Sequence, residues 1–142
     1  MEIGPHELDR FLVAQHQTHE EALAEISAGQ KVTHWMWWEF PQLRGLGRSH
    51  RAMHYGIEDM DEATRYLAHP VLGPHLVEMA GAMLEHEGVP PEDILGPVDG
   101  LKLRSCATLF SLVPDAPEVF RRLLDAFYEG RECGATREKL GL

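Results

Sequence analysis

An all-α fold in one compact multihelical domain follows from three features of the sequence. Apolar residues recur at helical spacing along most of the chain. Alternation and β-branched runs, the marks of strands, are poor outside the tryptophan-rich stretch. Capping residues, glycines and prolines fall where helices would begin and end. The 142 residues form a single domain, 1–142, long enough to enclose a core. There is no internal repeat and no low-complexity linker.

The elements can be read in order. Leu8, Phe11 and Leu12 form a first apolar stripe. After a break near Gln17, Ala22, Leu23 and Ile26 continue it, with Thr18 and Glu21 at capping-box spacing for a second helix and Gly29 placed to end it. Asp61 can cap a helix through Tyr66 and Leu67, which His69-Pro70 should stop. Pro70 then suits the first position of the next helix, whose buried stripe is Leu72, Leu76, Met79, Ala80 and Met83 and whose end is Gly88. The segment from Pro90 to Gly96 predicts one or two helical turns and a stop. Helices around Leu101 to Leu112 and Pro117 to Tyr128 complete the body, with a short one in the tail from Ala135 to Leu142.

Composition narrows the function. With 44% apolar and 25% charged residues the chain is ordinary for a globular protein. A formal net charge of -10 argues against a sequence-independent grip on nucleic acid. No apolar run reaches the length of a membrane span, so no membrane partner is expected. The opening stretch Met1 to His6 has neither the basic nor the apolar region of a signal peptide. Two cysteines, Cys106 and Cys133, make no disulfide framework, which fits a reducing cytoplasm.

Two segments stand out. All three tryptophans fall in the run His34-Trp35-Met36-Trp37-Trp38-Glu39-Phe40, which marks an anchor of the fold, a ligand grip, or both. Basic residues gather soon after it at Arg44, Arg48 and Arg51, with His50 and His54 nearby. That patch could receive one anionic group on a small ligand; the plainer reading is a solvated helix start. Further on, Leu101, Leu103, Cys106, Ala107, Leu109, Phe110 and Leu112 wrap apolar positions almost round a helix, as in a central, buried element. Lys102, Arg104, Ser105, Thr108 and Ser111 lie among them, so they should be paired or line a wet cavity, with Asp99 three residues from Lys102 as its natural partner.

The residues themselves carry a resemblance. His34-Trp35-Met36-Trp37 with Phe40-Pro41-Gln42-Leu43 and Gly45-Leu46-Gly47, Asp61-Glu62-Ala63 with Tyr66-Leu67, and His69-Pro70 with Leu72-Gly73-Pro74 follow one another along the chain. Ile94-Leu95-Gly96, Asp99, Leu101-Lys102-Leu103, Ser105 and Thr108-Leu109-Phe110 come after them. Together they resemble the uncharacterised bacterial family catalogued as domain of unknown function 1810. The resemblance implies a compact multihelical fold with central buried helices and implies no reaction. Against that family, Trp38 and Glu39 stand where two apolar residues are usual, Cys106 where a second serine is common, and His75 where arginine is usual.

The leading functional expectation is a small-molecule site between the tryptophan segment and the central helix, for a nucleotide-like or sugar-like metabolite. His34 is the candidate acid/base group, since imidazole titrates near neutral pH. Trp35 and Trp37 are candidates to stack on a ring, Gln42 to read its edge, and Asp99, Lys102, Ser105 and Thr108 to supply polar contacts. The competing expectation is a non-catalytic interaction module that docks through the aromatic segment. Exposed tryptophans would favour docking, whereas buried ones flanking a polar cavity favour a ligand site. Whether the chain is an enzyme, which cofactor it would use and whether it is a monomer or a dimer are left open by the sequence.

A bound metal is not expected. His50 and His54 are four apart and His16 and His19 three apart, but no further ligand motif accompanies them. Cys106 is the nucleophile suggested by position, although a cysteine buried in a core is usually inert.

Overall fold

The computed structural model describes residues 4–142, with side chains from Leu8 onward; Met1 to Ile3 of the opening stretch lie outside the described residues. Among these residues the regular structure is helical throughout: α1 (Gly4–Ser27), α2 (Met36–Glu39), α3 (His50–Tyr55), α4 (Met60–Ala68), α5 (Leu72–Leu84), α6 (Pro91–Leu95), α7 (Pro97–Ser111), α8 (Val119–Tyr128) and α9 (Gly134–Lys139). The one extended pairing is an isolated bridge between Leu43 and Ile57.

One core holds the helices together. Phe11 and Ile26 of α1, Leu76, Met79 and Met83 of α5, Leu103 and Phe110 of α7 and Phe120 of α8 are all buried in it. Helix α7 packs on α8, α6, α4 and α9, and α5 packs on α1, α4 and α8. From Ser105 to Phe110 every residue of α7 is buried, as expected of a central helix. Its first turns differ: they are buried on one face only, with Gly100 and Leu103 inside and Leu101 63% exposed. Burying that apolar circumference supplies the main driving force, about 25 cal/mol per Å² removed from water.

Several boundaries depart from the sequence reading, among them the end of α5 at Leu84, short of Gly88, and the start of α7 at Pro97, one turn before Leu101. Helix α1 runs unbroken through Gln17. Thr18 is not its cap: the hydroxyl lies 3.1 Å from Ala14 O, one turn back, and accepts a hydrogen bond from Trp38 Nε1 at 2.8 Å. The cap of α4 is Asp59, which accepts from Glu62 N at 2.9 Å, and Asp61 lies in the first turn. Helix α5 begins at Leu72, two residues beyond Pro70, because His69 Nδ1 accepts from the amides of Val71 and Leu72 and holds 69–71 as a turn.

Glycines sit where side chains would fail. Gly29 takes a positive φ of 81° as α1 ends. At Gly73 an added Cβ would lie 2.2 Å from Leu67 O, so glycine sets how closely α5 approaches the end of α4. Arg10 of α1 ties the same region together. Its guanidinium meets both carboxylate oxygens of Glu62 at 3.0 Å and donates to Gly56 O at 2.9 Å. Burial would raise the Glu62 carboxyl, but these bonds and the Glu58 amide hold it below its ordinary value.

Candidate functional site

The tryptophan run is set in place by α1. Glu25, on the last turns of α1, accepts hydrogen bonds from Val32 N (2.7 Å), Thr33 N (3.0 Å), Thr33 Oγ1 (2.6 Å) and Trp35 Nε1 (2.9 Å). Partial burial works against its charge, yet these donors draw the carboxyl down to about 2. Trp35 is buried and Trp38 half-buried, the latter bonded to Thr18. Trp37 is left facing α7.

There Lys102 reaches back across the Trp37 ring, its ammonium 3.6 Å from the ring centroid. Asp99 holds that ammonium at 3.2 Å and Lys31 at 3.0 Å, so one carboxylate serves two cations. Arg51, projecting from α3, joins Lys31, His34, Trp37, Asp99 and Lys102 around a small cavity of about 60 Å³. Three cationic side chains against one carboxylate make this spot electropositive in a chain whose net charge is -10.

A larger, mostly apolar cleft of about 450 Å³ opens on the other side of the same pair. Trp37 and Lys102 form its shared wall, Leu46, Val98 and Leu101 its apolar surface, and Gln42, Ser105 and Cys133 its polar points. Ser105 Oγ lies 3.3 Å from Leu101 O and 3.4 Å from Cys133 Sγ. Burial pushes the Cys133 thiol up, but hydrogen bonds from Ser105 and from the first turn of α9 outweigh it and bring the thiol below its ordinary value.

Seven of the eight candidates from the sequence therefore border these two cavities: His34, Trp35, Trp37, Gln42, Asp99, Lys102 and Ser105. Of these, Trp35 has a buried ring and its N–H is taken by Glu25. Thr108 lies elsewhere in its role. Fully buried, it donates to Arg104 O at 2.8 Å and accepts from Cys133 N at 2.8 Å, fastening the segment before α9 to α7. His34 stands exposed at the rim. Of the basic cluster only Arg51 reaches the cavity, while Arg44 lies 3.8 Å from Glu58.

Lys31 and Cys133 line the site without having been marked as candidates by the sequence, whereas Arg51 was marked within the basic patch that could receive an anionic group. Lys31 had a signal in its place directly before the tryptophan run. Cys133 had none, since only the packing of α9 on α7 brings it to the cleft. Cys106 is buried, which pushes its thiol well above the ordinary range and leaves it no nucleophile at neutral pH. Among the described residues no group of three or more histidine, cysteine or acidic side chains is arranged to hold a metal ion.

A second polar cluster lies between α1, α2 and α5. Glu39, next to Trp38, is buried and meets His19 Nδ1 at 2.8 Å and Thr18 Oγ1 at 3.2 Å. Glu78 meets His19 Nε2 at 2.9 Å. His75 stacks on His19 with ring centroids 3.7 Å apart, and its Nδ1 lies 2.9 Å from Gln15 Oε1. Gln15 Nε2 in turn donates to Trp38 O at 2.7 Å and to Tyr66 OH at 3.0 Å.

Comparison with known proteins agrees with the fold. The crystal structure of the conserved hypothetical protein Rv1873 from Mycobacterium tuberculosis is 44% identical, with a TM-score of 0.94 over 97% of this chain and 99% of that one. None of the curated proteins matches. A family profile described as "Protein of unknown function (DUF1810)" matches residues 5–140, and the chain belongs to that family.

Proposed function

We propose that the protein binds a small anionic metabolite, nucleotide-like or sugar-like, in the two cavities divided by Trp37 and Lys102. The observation that carries this reading is the shared wall: a tryptophan ring capped by an ammonium, with a cationic pocket on one side and an apolar cleft on the other. A phosphate or carboxylate would meet Lys31, Arg51 and Lys102, competing with Asp99 for the two lysines. A ring would lie on Trp37 against Leu46, Val98 and Leu101, its edge read by Gln42 and Ser105. Pockets of this kind, mostly apolar with a few convergent polar groups, are the usual form of small-molecule sites. His34 at the rim is the group suited to carry a proton if the bound molecule is processed. The tryptophans support a docking module less well, since Trp35 is buried and Trp37 and Trp38 are half-buried. Two cysteines without a disulfide suit the reducing cytoplasm.

Intrinsic fluorescence tests the reading directly. AMP, adenosine, glucose 6-phosphate and glucose are titrated separately against the full chain. A saturable response to a phosphorylated compound, at least about tenfold weaker without its phosphate and weakened comparably by Lys102→Met, is the expected result. Equal response with and without phosphate, or no response to any of the four, would overturn it. Arg51→Ala, an exposed change that leaves the core intact, checks that any loss with Lys102→Met is not unfolding.

A further inference from the structure

The cluster around His19 and His75 fixes protonation states that sequence alone does not reveal. A carbonyl oxygen only accepts, so the 2.7 Å contact with Trp38 O requires the Gln15 side chain to present its NH₂ there. Its Oε1 must then face His75 Nδ1, and an amide oxygen also only accepts. His75 Nδ1 therefore carries a proton. Burial, with the charged His19 beside it, holds the His75 pKa below its ordinary value, so the ring is neutral at pH 7. A neutral ring protonated on Nδ1 leaves a lone pair on Nε2. Among the described residues no hydrogen-bond donor reaches that atom.

His19 is the opposite case. Each of its nitrogens meets a carboxylate, Glu39 on one side and Glu78 on the other, so both donate and the ring is an imidazolium. Hydrogen bonding to Glu39 is the largest influence raising its pKa, against the opposing effect of burial. The stacked pair thus consists of one charged ring, neutralised by its flanking carboxylates, and one neutral ring with an acceptor to spare.

His75 and Gln15 border a groove of about 450 Å³ between α1 and the start of α5. Its walls are Leu12, Val13 and Val71, and Val13 and Val71 are 67% and 41% exposed. His16 and Gln17 complete the rim. The groove is separate from the cleft around Trp37, sharing no lining residue with it.

We propose that this groove is a second ligand site, for a small neutral molecule with an apolar ring and one hydroxyl donor, a phenol, whose O–H donates to His75 Nε2. The valine and leucine walls accommodate the ring, and the lone acceptor selects the hydroxyl. An anion is disfavoured, because it would face that lone pair beside a cluster of two carboxylates and one imidazolium. An ammonium would lose its hydration to apolar walls without a carboxylate of its own.

The test uses p-cresol, toluene and benzylamine as probes on uniformly ¹⁵N-labelled protein, with imidazole nitrogens followed by NMR at pH 7.5. The free protein should show His75 neutral with its proton on Nδ1. Adding p-cresol should move the His75 Nε2 signal saturably, and p-cresol should bind about fivefold tighter than toluene, the discrimination one neutral hydrogen bond provides. His75→Phe should erase that preference. Because His75→Phe also removes the Gln15 partner, Val13→Glu on the exposed wall serves as the second variant, and it should weaken both probes while leaving the His75 tautomer unchanged. A proton found on Nε2, equal binding of p-cresol and toluene, tighter binding of benzylamine, or no movement of His75 with p-cresol would each overturn the proposal.

Discussion

Glu25 shows how much one surface-facing carboxylate can organise. It gathers four donors from the loop between α1 and α2, the indole N–H of Trp35 among them, and so sets the direction in which Trp37 is presented to α7. Glu25→Ala should cost about 2 kcal/mol at pH 7, less than the sum of four charge-assisted bonds because the group is partly solvated. The sign with pH follows from its lowered pKa. The contribution is complete above the unfolded value of 4.5 and disappears as the pH falls towards about 2. Urea unfolding of parent and variant should therefore differ most near neutrality and converge in acid; a constant difference would contradict this account. The residue was not legible in the sequence, where it is one glutamate among several on α1. Trp37, Lys102 and Asp99 were legible, because the crowding of tryptophan and the three-residue spacing are local facts. Thr108 was legible only as a polar residue needing a partner, and its partner, Cys133 N, lies 25 residues away.

At the level of elements, the helix count came mostly from punctuation and the errors came from local signals that tertiary contacts overrode. Thr18 has the spacing of a cap, but Trp38 and Glu39 engage its hydroxyl, so α1 continues past it. The start of α7 at Pro97 was obscured because Gly96-Pro97 reads equally well as a stop and as a start. The buried stripe of α5 was fully legible, since all five of its named residues repeat at helical spacing. Its contact with α4 was not, because Gly73 matters through Leu67 O and not through its own helix. Gly73→Ala should cost about 3 kcal/mol by forcing α4 and α5 apart, read as a lower denaturant midpoint. Gly81, where an added Cβ meets nothing within 4 Å, is the control, and Gly81→Ala should leave stability unchanged or raise it by up to about 1 kcal/mol.

Over the whole molecule, charge and pH meet in the stacked histidines. Folding raises the pKa of His19, so its stabilisation is complete below 6.5 and is lost as the pH climbs through its folded value. Folding lowers the pKa of His75, so its contribution is present above 6.5 and is lost as the pH falls through the folded value. The two oppose each other, so their joint contribution is greatest near 6.5 and declines on either side. Denaturant midpoints measured between about pH 5 and pH 9 should fall off at both ends, and His19→Gln should lose the alkaline decline while keeping the acid one. An unchanged alkaline limb in His19→Gln would show that His19 is not the group responsible. The all-α single-domain fold was legible at this scale from composition and periodicity. The distribution of charge was not, since a net value of -10 gives no hint that Lys31, Arg51 and Lys102 converge on one cavity.

The buried contact between Glu39 and His19 also constrains the routes by which such a chain can have changed. A glutamate placed at position 39 before a histidine at 19 would be a buried charge held only by the Thr18 hydroxyl, a step costing several kcal/mol. A histidine at 19 placed first has Glu78, which is half-exposed, to pair with and carries no such penalty. The permitted order of substitution is therefore His19 before Glu39, and once both are present Glu39 can be lost alone but His19 cannot. Glu39 thereby locks His19 in place for as long as it is kept, narrowing the neighbouring sequences through which further change can pass.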